Sequence, residues 1–152
     1  MKNDLTYLLS KQLQAVTDGE PNLIANLSNA SALLNDHLSD INWAGFYLWE
    51  EVDDELVLGP FQGKVACVRI KKGQGVCGSA LEQEKTLVVP DVHQFPGHIA
   101  CDSASQSEIV VPLIKAGRKI GVLDVDAPIT DRFTQEDQNM LEEFCSVLLG
   151  VM

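Results

Sequence analysis

The spacing of apolar residues changes period near residue 42 and again near residue 134, and this switch limits the fold more than any other feature. Leu5, Leu8, Leu9, Leu13 and Val16 recur near the 3.6-residue period and predict a helix over about 4–17. Leu23, Ile24, Leu27, Ala30, Leu34 and Leu38 predict a second over about 22–39, which Pro21 can open at its first turn. Trp43 to Trp49 and Leu56 to Phe61 read instead as strands joined by an acidic turn, a hairpin. Lys64 to Ile70, rich in β-branched residues, reads as a third short strand. Gly73-Gln74-Gly75 breaks the chain, Val76 to Gln83 reads as a short helix and Thr86 to Val89 as strand. The stretch Asp91 to Gln106 holds Pro96, Gly97 and many small polar residues, which predicts a long irregular loop of the kind that often carries function. Glu108 to Lys115 and Lys119 to Asp126 form a second hairpin, turning at Ala116-Gly117. Thr134, with Asp137 three residues on, caps a last helix to about Leu149. The sheet and any site then fall within about 42–126. The order predicts an α+β fold: N- and C-terminal helices on one face of an antiparallel sheet, with the long loop on the other.

A chain of 152 residues without repeats or a linker is expected to form one domain over 1–152. Its net charge of -11 argues against nucleic acid and anionic membranes, and favours a cationic or zwitterionic ligand. No apolar run approaches the roughly 18 residues of a membrane helix. The start, MKNDLTYLLSKQL, is too interrupted by charge and amide for a secretory leader, so a cytoplasmic home is expected. There, disulfides tend to be transient and catalytic. A symmetric homodimer is the default expectation for a small protein of this kind.

Three of the four cysteines, Cys67, Cys77 and Cys101, fall in one window with the glycine-rich turn and two histidines. Cys101 sits in the irregular loop among small polar residues, with no core to fill, and is the best candidate nucleophile. Cys77 lies at a helix N-terminus, where the dipole would favour its thiolate. Cys67 alternates with Val65 along its expected strand, so simple burial stays open for it. Cys145 shares the apolar side of the last helix with Leu141, Phe144 and Leu148 and reads as buried filler. Gly73 to Gly78 matches G-x-G-x-x-G, but antiparallel neighbours without a βαβ unit argue against a dinucleotide site. The glycines suit close backbone approach to a ligand, with helix N–H groups free for a carboxylate. His93, His98, Cys77 and Cys101 lack the spacing of a zinc site, and no bound metal is expected.

Asp124 and Asp126 are two apart on a strand, so both leave one face, and Glu108 on the partner strand can reach it. Such a trio is either a solvated surface or an ammonium clamp in which like charges keep one acid protonated as a donor. Trp43 and Tyr47, four apart, share a face as core or as the wall of a ligand pocket.

Together these segments resemble the free methionine-R-sulfoxide reductases, enzymes built on a GAF domain. The resemblance is carried by Ile41-Asn42-Trp43-Ala44-Gly45-Phe46-Tyr47, Leu58-Gly59-Pro60-Phe61-Gln62-Gly63-Lys64 and Gly75-Val76-Cys77-Gly78. It continues through Asp91-Val92-His93, Gly97-His98-Ile99-Ala100-Cys101-Asp102, Ser107-Glu108-Ile109-Val110 and Ile120 to Asp126. It implies that Cys101 attacks the sulfoxide of free L-methionine-(R)-sulfoxide, and that the resulting sulfenic acid condenses with Cys67 or Cys77. Thioredoxin, supplied by its reductase and NADPH, would reopen that disulfide, with no bound cofactor. Glu108, Asp124 and Asp126 would hold the ammonium and protonate the sulfoxide oxygen, Trp43 and Tyr47 would wall the S-methyl group, and backbone N–H groups would take the carboxylate. A non-catalytic GAF sensor of a small molecule is the alternative.

Overall fold

Helix α1 (Asp4–Thr17) and α2 (Leu23–His37) lead into strands β1 (Trp43–Glu50), β2 (Glu55–Gly63) and β3 (Arg69–Lys71). Then come α3 (Gly75–Gln83), β4 (Leu87–Val89), β5 (Ser107–Lys115), β6 (Arg118–Ala127) and α4 (Gln135–Leu149). The computed structural model describes residues 4–99 and 101–152; Met1, Lys2 and Asn3, which the expected domain bounds take in, and Ala100 of the loop motif lie outside the described residues. The strands form one six-stranded sheet in the order β3-β2-β1-β6-β5-β4, with every pairing antiparallel.

Strand alternation gives the sheet two covered faces. Ala44, Phe46, Ile109, Val111, Leu113, Leu123 and Val125 face α1, α2 and α4, where they meet Leu9, Leu13, Leu27, Leu34, Leu141 and Phe144 in the main core. Each large apolar side chain buried there contributes about 1.5–3 kcal/mol. Trp43, Tyr47, Val110 and Val122 point the other way, against Val76, Cys77, Ala80 and Leu81 of α3. The Thr134–Asp137 capping box starts α4 as expected. At the β5–β6 turn, Ala116 (φ 50) and Gly117 (φ 77) are both left-handed, as a two-residue hairpin connection demands.

Two expectations need correction. Asn22, not Pro21, opens α2: its side chain accepts from the Ala25 N–H at 2.9 Å, which leaves Pro21 outside the helix. The expected strand from Lys64 to Ile70 shrinks to Arg69–Lys71, and residues 64–68 run irregularly. Backbone pairing between β2 and β3 is confined to Val57↔Arg69, Leu56↔Ile70 and Glu55↔Lys71. Residues 64–68 keep one backbone bond to β2, from the Leu58 N–H to the Val68 carbonyl at 2.9 Å, and are otherwise held by side chains: the Trp43 indole donates to the Lys64 carbonyl at 3.1 Å, and the Tyr47 hydroxyl to the Cys67 carbonyl at 2.8 Å.

Candidate active site

The floor of the site is a patch of acids set by strand register. Asp126 lies between Trp43 of β1 and Glu108 of β5. Asp124 leaves the same face two residues earlier, between Gly45 and Val110. The Trp43 and Tyr47 rings stack with centroids 5.9 Å apart, and Phe61 backs Trp43 at 5.1 Å. Thus Glu108, Asp124, Asp126, Trp43 and Tyr47 line one cavity with Cys77, His98 and Cys101. A solvated acidic surface is excluded, because Glu108 is 7% exposed and Asp124 5%.

Burial dominates the chemistry of these acids. It pushes Glu108 well above the usual carboxylate range, and the charges of Asp124 and Asp126 add to the shift. Asp126 is pushed well up by burial and then by Asp124. Burial raises Asp124 too, but hydrogen bonds from Glu108, Asp126 and Cys77 pull it back. Environments that drive neighbouring acids apart in this way separate proton holders from anions. Here Glu108 and Asp126 hold protons best, and Asp124 is the readiest to ionise. Asp124 Oδ1 and Asp126 Oδ1 are buried without a hydrogen-bond partner. Such atoms are costly unless a ligand satisfies them.

The three cysteines separate sharply. Cys67 and Cys101, 34 residues apart, form a disulfide with Cα atoms 5.4 Å apart. Burial in the core is thereby overturned for Cys67, which is partly exposed on the irregular 64–68 segment. Cys77 is free and buried. The expectation that its helix end would favour a thiolate is also overturned: burial, then Asp124, Glu108 and Asp126, push the thiol well above its ordinary value. A helix dipole contributes about 0.3–1 kcal/mol at a terminus and loses to desolvation in a pocket of acids. The Cys77 sulfur lies 4.0 Å from Glu108 Oε2. Cys145 is buried in the helical core as expected.

The glycine turn serves packing and shape. Gly73 and Gly75 take left-handed φ values of 83° and 63°, and Gly75 and Val76 at the start of α3 line the cavity. Two contributors escaped the sequence reading. Asn42 Nδ2 donates to Asp102 Oδ2 and to Ser105 Oγ, both at 3.1 Å, and so pins the Cys101 loop to the start of β1. It stands in the Asn42-Trp43 motif, but an amide without charge or thiol gives no signal of that role. His98, weighed only as a zinc ligand, places Nε2 4.0 Å from Glu108 Oε1. Burial and His93 hold its imidazole below the usual range, hence neutral.

A GAF domain family model matches residues 22–149. The chain is 53% identical over 144 residues to the free methionine-R-sulfoxide reductase of Escherichia coli, covering 95% of this chain and 86% of that protein. The fRMsr of Staphylococcus aureus in complex with substrate superposes with a TM-score of 0.90 at 55% identity, covering 96% of this chain and 94% of that one. The free methionine-R-sulfoxide reductase of Neisseria meningitidis, in complex with its substrate, gives 0.92 at 44% identity, covering 99% and 92%.

Proposed function

The chain belongs to the GAF-domain family, among its free methionine-R-sulfoxide reductases, and on that premise we propose how its residues divide the reduction of free L-methionine-(R)-sulfoxide. The observation that carries the reading is the Cys67–Cys101 disulfide at the edge of a buried acid pocket that Cys101 itself lines. A sensor that only binds would have no use for a sulfur pair placed there.

The reduced Cys101 sulfur attacks the sulfoxide sulfur while Glu108 or Asp126, both biased toward the protonated form, gives its proton to the departing oxygen. Oxygen passes to Cys101 as a sulfenic acid, and methionine leaves. The Cys67 thiol then displaces that oxygen as water and forms the disulfide. Formation of this bond, with Cys77 left free and strongly protonated, supports Cys67 as the resolving cysteine. Asp124, the readiest of the acids to ionise, takes the substrate ammonium. Trp43 and Tyr47 wall the S-methyl group, and N–H groups at the start of α3 take the carboxylate. A dithiol, thioredoxin in a cytoplasmic setting, reopens the disulfide and is itself oxidised. A homodimer is compatible with each step, because all the residues named come from one chain.

The test is incubation with racemic free methionine sulfoxide, thioredoxin, thioredoxin reductase and NADPH, with dithiothreitol replacing the thioredoxin system in a parallel arm. Consumption of the R epimer alone is expected in both. No consumption in either arm overturns the reading, and turnover with dithiothreitol only removes thioredoxin as the reductant.

A further inference from the structure

The catalytic cycle uses Cys67 and Cys101 and leaves a buried thiol among acids without an assigned task. Cys77 Sγ, a Glu108 oxygen and an Asp124 oxygen lie within 4.8 Å of one another, all buried. They come from α3, β5 and β6, three separate packed elements. His98 Nε2 approaches the same centre, 4.0 Å from Glu108 Oε1. The donors of a tetrahedral zinc site stand roughly 3.3–3.8 Å apart, given bonds of about 2.0–2.3 Å. A contraction of roughly 1–1.5 Å at most therefore closes the three buried donors, and His98 moves in from the Glu108 side to complete the set. From this geometry we infer that Cys77, Glu108, Asp124 and His98 form a site that binds Zn2+.

Three further observations carry the inference. Asp124 is 5% exposed, and its Oδ1 has no hydrogen-bond partner while the residue lines the cavity. Among the described residues lining the cavity there is no lysine or arginine to neutralise three carboxyl groups. The donor chemistry is also selective. One thiol, one imidazole and two carboxylates suit zinc, or cobalt as its spectroscopic substitute, whereas calcium and magnesium require oxygen donors. Binding would release the Cys77 proton, since the thiolate is the ligand. His98 lies in the loop before Cys101, which lets the fourth donor adjust to the other three.

The site shares Glu108 and Asp124 with the substrate pocket proposed above, and metal binding is tested without the reductase reaction. The protein is oxidised so that Cys67 and Cys101 are locked in their disulfide, which leaves only Cys77 and Cys145 as free thiols. It is then titrated with Co2+. The expected result is a thiolate-to-cobalt charge-transfer band with the intense visible absorption of a tetrahedral ion, both lost on addition of Zn2+. Cys77→Ser should abolish the charge-transfer band, Asp124→Asn should weaken binding by roughly tenfold or more, and Cys145→Ser should leave both unchanged. If Cys77→Ser fails to fold, as judged by circular dichroism, Cys77→Ala takes its place with the same expectation. Absence of the band in the wild-type protein overturns the inference, and so does its survival in Cys77→Ser or its loss in Cys145→Ser.

Discussion

A cysteine that attacks a sulfoxide works best as a thiolate, yet Cys101 faces a pocket whose fixed charges are all acidic. The conflict resolves if the acids are mostly neutral and the substrate brings the positive charge. Burial and mutual repulsion keep protons on Glu108 and Asp126. On the assignment proposed above, the ammonium at Asp124 would tip the local field toward the thiolate, so that substrate binding would help to assemble the reactive state. One consequence concerns pH. Activity should fall as pH rises through the raised range in which Glu108 and Asp126 lose their protons, because the deprotonated acids cannot donate. Glu108→Gln should lower kcat by about 100-fold and displace the alkaline limb of the rate profile; an unmoved limb with kcat intact would remove Glu108 from proton transfer. The sulfurs give a second prediction. Cys101→Ser should release no methionine even in a single turnover, whereas Cys67→Ser should release about one per chain and then fail to recycle through thioredoxin. Normal steady-state turnover by Cys67→Ser would transfer the resolving role to Cys77.

The segment 64–68 and the connection from Asp91 to Gln106, which is regular only in a short 3-10 turn at Val92–Gln94, supply the lips of the pocket, and the disulfide ties them together. The space left between them amounts to about 40 Å³, room for a few water molecules. An amino-acid substrate therefore needs the lips parted. Oxidised wild-type protein should bind free methionine sulfoxide far more weakly than reduced Cys101→Ser, in which the tie is absent; equal affinities by calorimetry would refute this gate. The anchors of each lip are specific. Tyr47 and Trp43 hold 64–68 by its carbonyls, and Asn42 holds the Cys101 loop through Asp102 and Ser105. Tyr47→Phe keeps the ring and loses one hydrogen bond, worth about 1 kcal/mol. It should slow disulfide formation, followed by quenched thiol counting, more than it slows methionine release. These anchors also explain what the sequence concealed. Strand periodicity placed Asp124 and Asp126 on one face and paired them with Glu108, because alternation is a local property. The conformation of 64–68 is set by contacts to β1 some twenty residues away, so its valines imitated a strand. Cys77 looked like an activated thiol because a helix end is visible locally, while the buried acids that overrule it come from β5 and β6.

The switch in apolar period made the layer order legible, since each helix and strand must bury the face that its own spacing defines. The long loop was expected on the second face of the sheet; what no local pattern discloses is that α3 packs there too, so that Glu108 and Asp124 are buried, with Asp126 beside them, inside a molecule of net charge -11. Stability must respond to that arrangement, and linkage gives the sign. Glu108, Asp124 and Asp126 bind protons more tightly in the folded chain than in the unfolded one, where carboxyls titrate near 4. Their contribution is complete below the unfolded value and is lost as pH climbs through the raised folded values. Self-repulsion among the surface acids acts in the same direction as pH rises. The melting temperature should therefore increase on moderate acidification from alkaline pH, opposite to the behaviour of a protein held by paired carboxylates. Asp126→Asn separates the two causes: it removes one buried titration while leaving the surface charges in place. The variant should flatten the slope of melting temperature against pH and be the more stable protein at alkaline pH, even as catalysis suffers. A slope identical to that of the wild-type protein would assign the whole effect to surface charge and leave the buried acids with no part in it.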